Sequence, residues 1–330
     1  MPPSSLNILD FEKPIAELDE QIAQIKLLTM ERGEDRSEDI ATLEHDRDRL
    51  LEEIFANLTP WDKVLLARHP KRPYTLDYVR LIFDDYMELH GDRLFADDHA
   101  MIGGIATLDD REVMFVGQQK GRDLKDRQYR NFGSAKPEGY RKALRLMKLA
   151  EKFGKPVICL VDTPAADCGV GSEERGISEA IARNLAEMST LQIPTIAVVL
   201  GEGGSGGALG IAVADRVLML EHAVYSVIPP ESCAAILWRD PTKNKEMAET
   251  LKITSKDALK LKVVDEVIAE PLGGAHRNVE ATAKNVKAAI LKHLGQVEKL
   301  SVPKLLANRY KKYRDMGSYK ETSEESEPQD

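Results

Sequence analysis

Thr195-Ile196-Ala197-Val198-Val199-Leu200, followed directly by Gly201-Glu202-Gly203-Gly204-Ser205-Gly206-Gly207-Ala208-Leu209-Gly210, is the stretch on which the fold turns. The β-branched run after Pro194 reads as a buried strand, and Ala208 to Val213 reads as the opening of a helix. The residues from Gly201 to Gly210 hold six of the chain's 22 glycines. Glycines at a strand-to-helix turn permit positive φ and let another molecule approach the main chain. Free N–H groups at the helix start, helped by the helix dipole, favour an anion there.

The kind of anion stays open at this point. Gly201-x-Gly203-x-x-Gly206 satisfies a dinucleotide-binding fingerprint, and Glu221 lies about 20 residues on, where a ribose-binding acid belongs. A nucleotide-binding, dehydrogenase-like domain is therefore one candidate. Against it, a strand resumes at Arg216, which leaves only about two helical turns after Gly207. No Gly-Lys-Ser/Thr follows, so a Walker loop is excluded. The glycines alone do not separate a cofactor's phosphate, a reaction's oxyanion and a tight turn that packs a helix on a sheet.

Outward from the turn, strands and helices alternate. Upstream lie a strand from Pro156 to Val161, a loop from Asp162 to Gly171, and a helix through Leu191. Downstream come a strand from Arg216 to Leu220 and a short run from Val224 to Ile228. The order argues for an α/β fold with a parallel core. Two apolar runs around Asp109-Asp110-Arg111 predict a β-hairpin, and Pro137 to Phe153 a helix with Ala143, Leu146, Met147 and Ala150 on one face. The periodicity of Thr75 to Leu89 predicts another helix, ending at Gly91. Before it, two amphipathic helices broken at Gly33 make a hairpin, with Ser37 expected to cap the second. The domains expected are a helical extension over 1–72, a catalytic domain over 73–318, and a disordered acidic tail over 319–330.

Composition narrows the class. The 330 residues carry a net charge of −9 and no long basic tract, so no nucleic-acid partner is expected. Three scattered cysteines, Cys159, Cys168 and Cys233, form neither a disulfide framework nor a zinc motif. With no signal pattern and no 18-residue apolar run, a cytoplasmic protein away from the membrane is expected.

Several stretches resemble one family, the α subunit of bacterial acetyl-coenzyme A carboxylase carboxyltransferase. They are Gly117-Gln118-Gln119-Lys120-Gly121-Arg122-Asp123, Asn131-Phe132-Gly133, Pro137-Glu138-Gly139-Tyr140-Arg141-Lys142-Ala143, Glu173-Glu174-Arg175-Gly176, the glycine turn, and Pro271-Leu272-Gly273-Gly274-Ala275-His276-Arg277. The resemblance implies a crotonase-like fold, a spiral of β-β-α units. It implies a partner β subunit that carries the zinc, in an α2β2 heterotetramer, with no metal in this chain. It also implies transfer of a carboxyl group from carboxybiotin, held on a biotin carboxyl carrier protein served by biotin carboxylase, to acetyl-coenzyme A. On that basis Gly206 and Gly207, with Ala166 and Gly169 of the neighbouring loop, are expected at the chemistry. Arg175, Gly203, Gly204, Lys120 and Arg122 are expected to bind substrate. Bulk at Gly207 is expected to abolish transfer without unfolding the protein.

One loop departs from the family pattern Asp-Thr-Pro-Gly-Ala-Tyr-Pro-Gly. It reads Asp162-Thr163-Pro164-Ala165-Ala166-Asp167-Cys168-Gly169. A left-handed Ala165 would cost roughly 1–2 kcal/mol that glycine avoids. The change also leaves open a catalytically silent scaffold for the β subunit. Individual side chains have plain alternatives: Arg175 could bind a carboxylate or pair with Glu173 or Glu179, Lys120 and Arg122 could meet coenzyme A phosphates or sit solvated, and His276 could be a base or a structural contact.

Overall fold

The computed structural model describes residues 8–33 and 35–317, so the acidic segment after Lys320 lies outside the described residues. Helices α1 (Lys13–Arg32) and α2 (Ser37–Ala56) form the predicted hairpin. Gly33 ends α1 with φ 68°, the left-handed conformation that glycine adopts without cost. Ser37 is not the cap of α2; its N–H is instead held by Asp35 Oδ1 at 3.0 Å. Thr59 and Asp62 make a capping box for α3 (Pro60–Ala67), and α4 (Thr75–Ile82) follows.

The helix expected to reach Leu89 stops at Ile82. Residues 85–88 are instead strand β1 (Asp85–Glu88), antiparallel to β2 (Met101–Leu108). A side chain at Gly104 would stand 2.0 Å from the Met87 carbonyl oxygen, so glycine in β2 is what admits β1. Sheet pairing overrides the helical periodicity here. β2 turns at Asp109, at φ 51°, into β3 (Arg111–Gln118), as the hairpin signal predicted.

The rest of the chain builds a parallel sheet. α5 (Leu124–Tyr129) and α6 (Pro137–Lys152) lead to β4 (Val157–Thr163), and the predicted apolar face of α6 is buried. The helix after the Asp162–Gly171 loop is broken at Gly176 (φ 77°) into α7 (Val170–Glu174) and α8 (Ile177–Thr190). Then come β5 (Thr195–Gly204), α9 (Ser205–Leu209), β6 (Arg216–Leu220) and β7 (Val224–Ser226). Helices α10 (Pro230–Trp238), α11 (Asn244–Thr250) and α12 (Ser255–Lys260) precede β8 (Glu266–Ile268), and α13 (Val279–Val297) and α14 (Val302–Arg314) close the described chain.

Among the described residues one sheet forms in the order β1-β2-β3-β4-β5-β6-β8, with β7 attached to β5. β5 is its longest strand and pairs with three others, β4, β6 and β7. Ile196–Val199 of β5 pair with β6, whereas Glu202–Gly204 pair with β7, and Gly203 also meets Thr163 of β4. The end of β5 is therefore hydrogen-bonded on both edges. At its start, Arg309 of α14 is 1% exposed and grips Asp215 through two bonds of 2.9 and 2.8 Å. The same guanidinium donates to the carbonyls of Met188, Leu191 and Ile193. No helix among the described residues is long and apolar enough to cross a membrane.

Candidate active site

The glycines do not make a loose turn. The strand continues through Gly204, and the helix begins at Ser205 rather than Ala208. None of the six glycines has positive φ; the left-handed residue is Ser205, at 52°. At five of the six, neighbours come too close for a side chain. A Cβ at Gly204 would lie 1.9 Å from the Pro164 carbonyl oxygen, and one at Gly207 would lie 2.6 Å from both Ala165 C and Ala166 N. One at Gly203 would meet Tyr225 at 2.6 Å, whereas one at Gly206 would make an ordinary 3.5 Å contact with Ile181. Ala165 is not left-handed, so the cost foreseen for replacing glycine there does not arise.

This geometry removes the dinucleotide site. Gly201 and Gly203 lie inside a strand, and α9 has five residues, too short to carry a pyrophosphate against a long helix. Glu221 is occupied elsewhere, accepting from the Glu270 N–H at 3.2 Å.

What the turn offers is a pair of donors. The N–H groups of Gly206 and Gly207 have no acceptor among the described residues, as expected in a first helical turn. Behind the turn, the Gly206 carbonyl, which shares its peptide with the Gly207 N–H, accepts from the Gly210 N–H at 3.0 Å. The Gly207 carbonyl accepts from Gln118 Nε2 at 2.9 Å and Tyr140 Oη at 3.2 Å. Gln118 Oε1 also accepts from the Asp162 N–H, tying the ends of β3 and β4 to the turn. Asn184 of α8 donates to the carbonyls of Tyr140 and Gly210. Gln118, Tyr140 and Asn184 are fully buried. Beside the turn, Ser205, Gly206, Leu209, Tyr225 and Val227 line an open cleft of ≈ 450 Å³.

Under the end of β5 lies an ionic network. Lys120 Nζ stands 2.8 Å from Glu202 and 2.9 Å from Asp162, and Arg68 bridges Glu202 at 2.7 Å and Glu231 at 2.5 Å. Burial pushes the Glu202 carboxyl up, but Lys120 and Arg68 outweigh it and hold it at about 2. Burial lowers the Lys120 pKa, yet Asp162 and Glu202 dominate and the net shift is upward. Lys120 therefore stays charged and braces the glycine strand. Next to it Arg72, fully buried, pairs with Glu270 at 2.5 Å and donates twice to the Leu200 carbonyl. Glu270 is held at about 2, because Arg72 outweighs its burial.

Arg122 and Arg175, two other expected residues, are engaged by partners outside the turn. Arg122 pairs with Asp77, donates to the carbonyls of Pro70 and Arg72, and stacks 4.1 Å over Tyr74. Arg175 pairs with neither Glu173 nor Glu179; Glu138 takes it through bonds of 3.0 and 3.2 Å, and Phe95 lies 4.7 Å below it. Ala166 packs beside Gly207, while Gly169 caps α7 and its carbonyl accepts from Ser172 and Glu173. His276 Nε2 meets Glu12 at 2.9 Å and stacks on His69 at 4.1 Å. Glu12, His69 and His276 have ligand atoms within 4.8 Å of one another, close enough to share a metal ion. Glu12 accepts from the Leu9 N–H as well as meeting His276, and His69 Nδ1 accepts from the Lys71 N–H, whereas His276 Nδ1 is buried with no hydrogen-bond partner among the described residues. Motif reading missed Arg68, Arg72 and Glu270, because the segments that bring them together are far apart in sequence.

The chain is 55% identical over 313 residues to the acetyl-coenzyme A carboxylase carboxyl transferase subunit alpha of Geobacter metallireducens, covering 95% of this chain and 98% of that protein. With the corresponding subunit of Staphylococcus carnosus the identity is 52% over 314 residues, covering 95% and 100%. Among solved structures, the beta subunit of geranyl-CoA carboxylase from P. aeruginosa aligns with a TM-score of 0.55 at 13% identity, over 80% of this chain and 48% of that one. A Pseudomonas malonate decarboxylase heterodimer aligns with a TM-score of 0.54 at 16% identity, over 65% and 88%. These distant likenesses carry the fold alone, which is crotonase-like. Residues 8–317 match the family described as acetyl co-enzyme A carboxylase carboxyltransferase-like, and the chain belongs to that family.

Proposed function

We infer that this chain is the alpha subunit of an acetyl-coenzyme A carboxylase carboxyltransferase, transferring a carboxyl group from carboxybiotin to acetyl-coenzyme A to give malonyl-coenzyme A. The observation that carries this is the 55% identity over nearly the whole length of a relative so named. Carboxybiotin, presented by its carrier protein, supplies the activated carboxyl group. The chain's part is to hold and orient. In this reading the N–H groups of Gly206, which lines the cleft, and of the buried Gly207 donate to the ureido oxygen as negative charge grows on it. Losing one such donor typically costs ~2.7–4 kcal/mol, or about a hundred- to a thousandfold in rate. Gly203 and Gly204 let Tyr225 and the Pro164 carbonyl pack against the strand end, and Ala166 packs against Gly207, so the three shape the wall beside that position. Lys120, Glu202 and Arg68 hold the strand from below, so Lys120 serves as a brace, and Arg122 and Arg175 as supports of the surrounding segments.

A partner subunit completes the site. The cleft is open, its Val227 is exposed, and so are Ile236, Leu237 and Trp238 of α10. An apolar face of that kind supports docking of a β subunit in an α2β2 assembly, in the cytoplasm, with the carrier protein approaching the cleft. Residues 1–72 serve as an extension of the catalytic domain over 73–318. The test is co-expression with the β subunit and a carboxybiotin-dependent transfer assay. The complex is expected to be active and the chain alone inactive. A complex that assembles but transfers nothing would instead support a silent scaffold, and transfer by the chain alone would refute the shared site.

A further inference from the structure

The Thr163–Gly169 loop lies directly on the glycine turn, main chain against main chain, as the 1.9 Å and 2.6 Å approaches at Gly204 and Gly207 require. Something must hold it there, because apart from Ala166 it contributes little to the core. Thr163 fastens one end, its hydroxyl lying 2.8 Å from the carbonyls of both Gly133 and Ala165. At the other end the fastener is Asp167. Its N–H donates to the Ala135 carbonyl at 2.9 Å. Its Oδ1 accepts from Asn131 Nδ2 at 3.0 Å, and its Oδ2 accepts from Ser172 Oγ at 2.5 Å. Both donors are themselves fixed. Ser172 is 1% exposed, and Asn131 also donates to the Ser134 carbonyl at 2.8 Å, in a segment where Asn131 and Phe132 both have positive φ.

We propose that Asp167 is a positioning residue: its carboxylate joins the 131–135 segment to the start of α7 and so presses the Pro164–Ala166 backbone onto the donor peptides of Gly206 and Gly207. This rests on the carboxyltransferase reading and extends it to a residue where the chain departs from its family's pattern. The carboxylate has the charge state the role needs. Burial raises its pKa, but the bonds from Ser172 and Asn131 outweigh burial, and the net shift is downward. An ionised carboxylate accepts both bonds at once, whereas an amide in its place has a single acceptor oxygen. A tyrosine alone at this position would break both links.

The experiment uses the assembled complex with the β subunit. Wild type, Asp167→Ala, Asp167→Asn, Ser172→Ala and the Asp167→Ala/Ser172→Ala double variant are compared for kcat, for KM of acetyl-coenzyme A, and for hydrogen exchange of the 163–169 peptide. Asp167→Ala is expected to lower kcat at least tenfold with KM changed less than twofold, since displacement by about 1 Å can cost a hundredfold in rate. Asp167→Asn should fall in between. The double variant should be little worse than Asp167→Ala, because both changes cut one link. Faster exchange of the loop in Asp167→Ala is expected alongside. If Asp167→Ala fails to assemble, Asp167→Asn and Ser172→Ala decide the question by the same split. A kcat within twofold of wild type, or a rise in KM with kcat unchanged, would overturn the proposal while leaving the family's reaction intact. An inactive wild-type complex would instead overturn the carboxyltransferase reading, and the role of Asp167 with it.

Discussion

Adding one methyl group to each of two adjacent glycines separates the chemistry of the turn from its packing. In Gly207→Ala the new carbon falls 2.6 Å from Ala165 C and Ala166 N, against 3.4 Å where ordinary contact begins, so the loop must retreat by about 0.8 Å. In Gly206→Ala it meets only the flexible end of Ile181, at 3.5 Å. Neither glycine has positive φ, so alanine suits both backbones, and its helix propensity is worth ~0.8–1 kcal/mol in its favour. Overpacking against main chain costs ~1–3 kcal/mol and outweighs that gain at Gly207 only. Both variants keep their N–H donors. Gly206→Ala is therefore expected to transfer within a few-fold of wild type, and Gly207→Ala to lose about a hundredfold, with a lower Tm, because the loop no longer sits on the donors. Gly207→Val, which the sequence alone predicts to be harmless to the fold, cannot be so. Transfer rate, Tm and assembly are measured on one preparation of each complex. A Gly207→Ala complex with wild-type rate and Tm refutes the reasoning, as does a Gly206→Ala complex that is equally damaged.

Two further outcomes concern the buried ions. Glu270→Gln leaves the Arg72 guanidinium buried without its counter-charge and should cost ~3–5 kcal/mol in a urea melt, whereas an apolar replacement of both partners should cost much less; a wild-type midpoint for Glu270→Gln would contradict this. Glu202 and Glu270 are both depressed from 4.5 to about 2, so their stabilisation is complete above about 4.5 and is lost as pH falls from there toward about 2. Asp98, raised by burial to about 6, acts with the opposite sign and weakens the fold as pH rises toward that value. Stability should therefore fall steeply in the acid window, and denaturant midpoints that stay flat across it would dismiss the network as a stabiliser.

The strands and most helices were legible because their signals are local: alternation around β4 to β6, the Asp109 turn, the apolar stripe of α6 and the break at Gly33 all lie within a few residues. The exceptions have non-local causes. β1 is a strand because Gly104, some 17 residues away, makes room for its main chain. The glycine turn was found, but its mechanism was misread. Density of glycine points equally to positive φ and to close approach, and only the position of Pro164 to Ala166 distinguishes them. Among the site's supports, Lys120 was visible as a charge in a quoted motif. Its partners Glu202 and Asp162, 82 and 42 residues further on, could not be paired with it without the fold that unites them.

The grip of Arg309 on the start of β5 has a consequence for how the protein is made. Asp215 precedes Arg309 by 94 residues, so at ~5–20 residues per second a ribosome finishes the acid about 5–19 s before it supplies the guanidinium. During that interval the corner between α8, β5 and β6 holds a carboxylate destined for burial and three carbonyls without their shared donor. The corner is sealed by α14, the last helix among the described residues. Until it emerges, the longest strand of the sheet is open at its base, and a chain that ends before α14 stays in that state. Arrival of α14, rather than formation of the sheet, is the event that shuts the core.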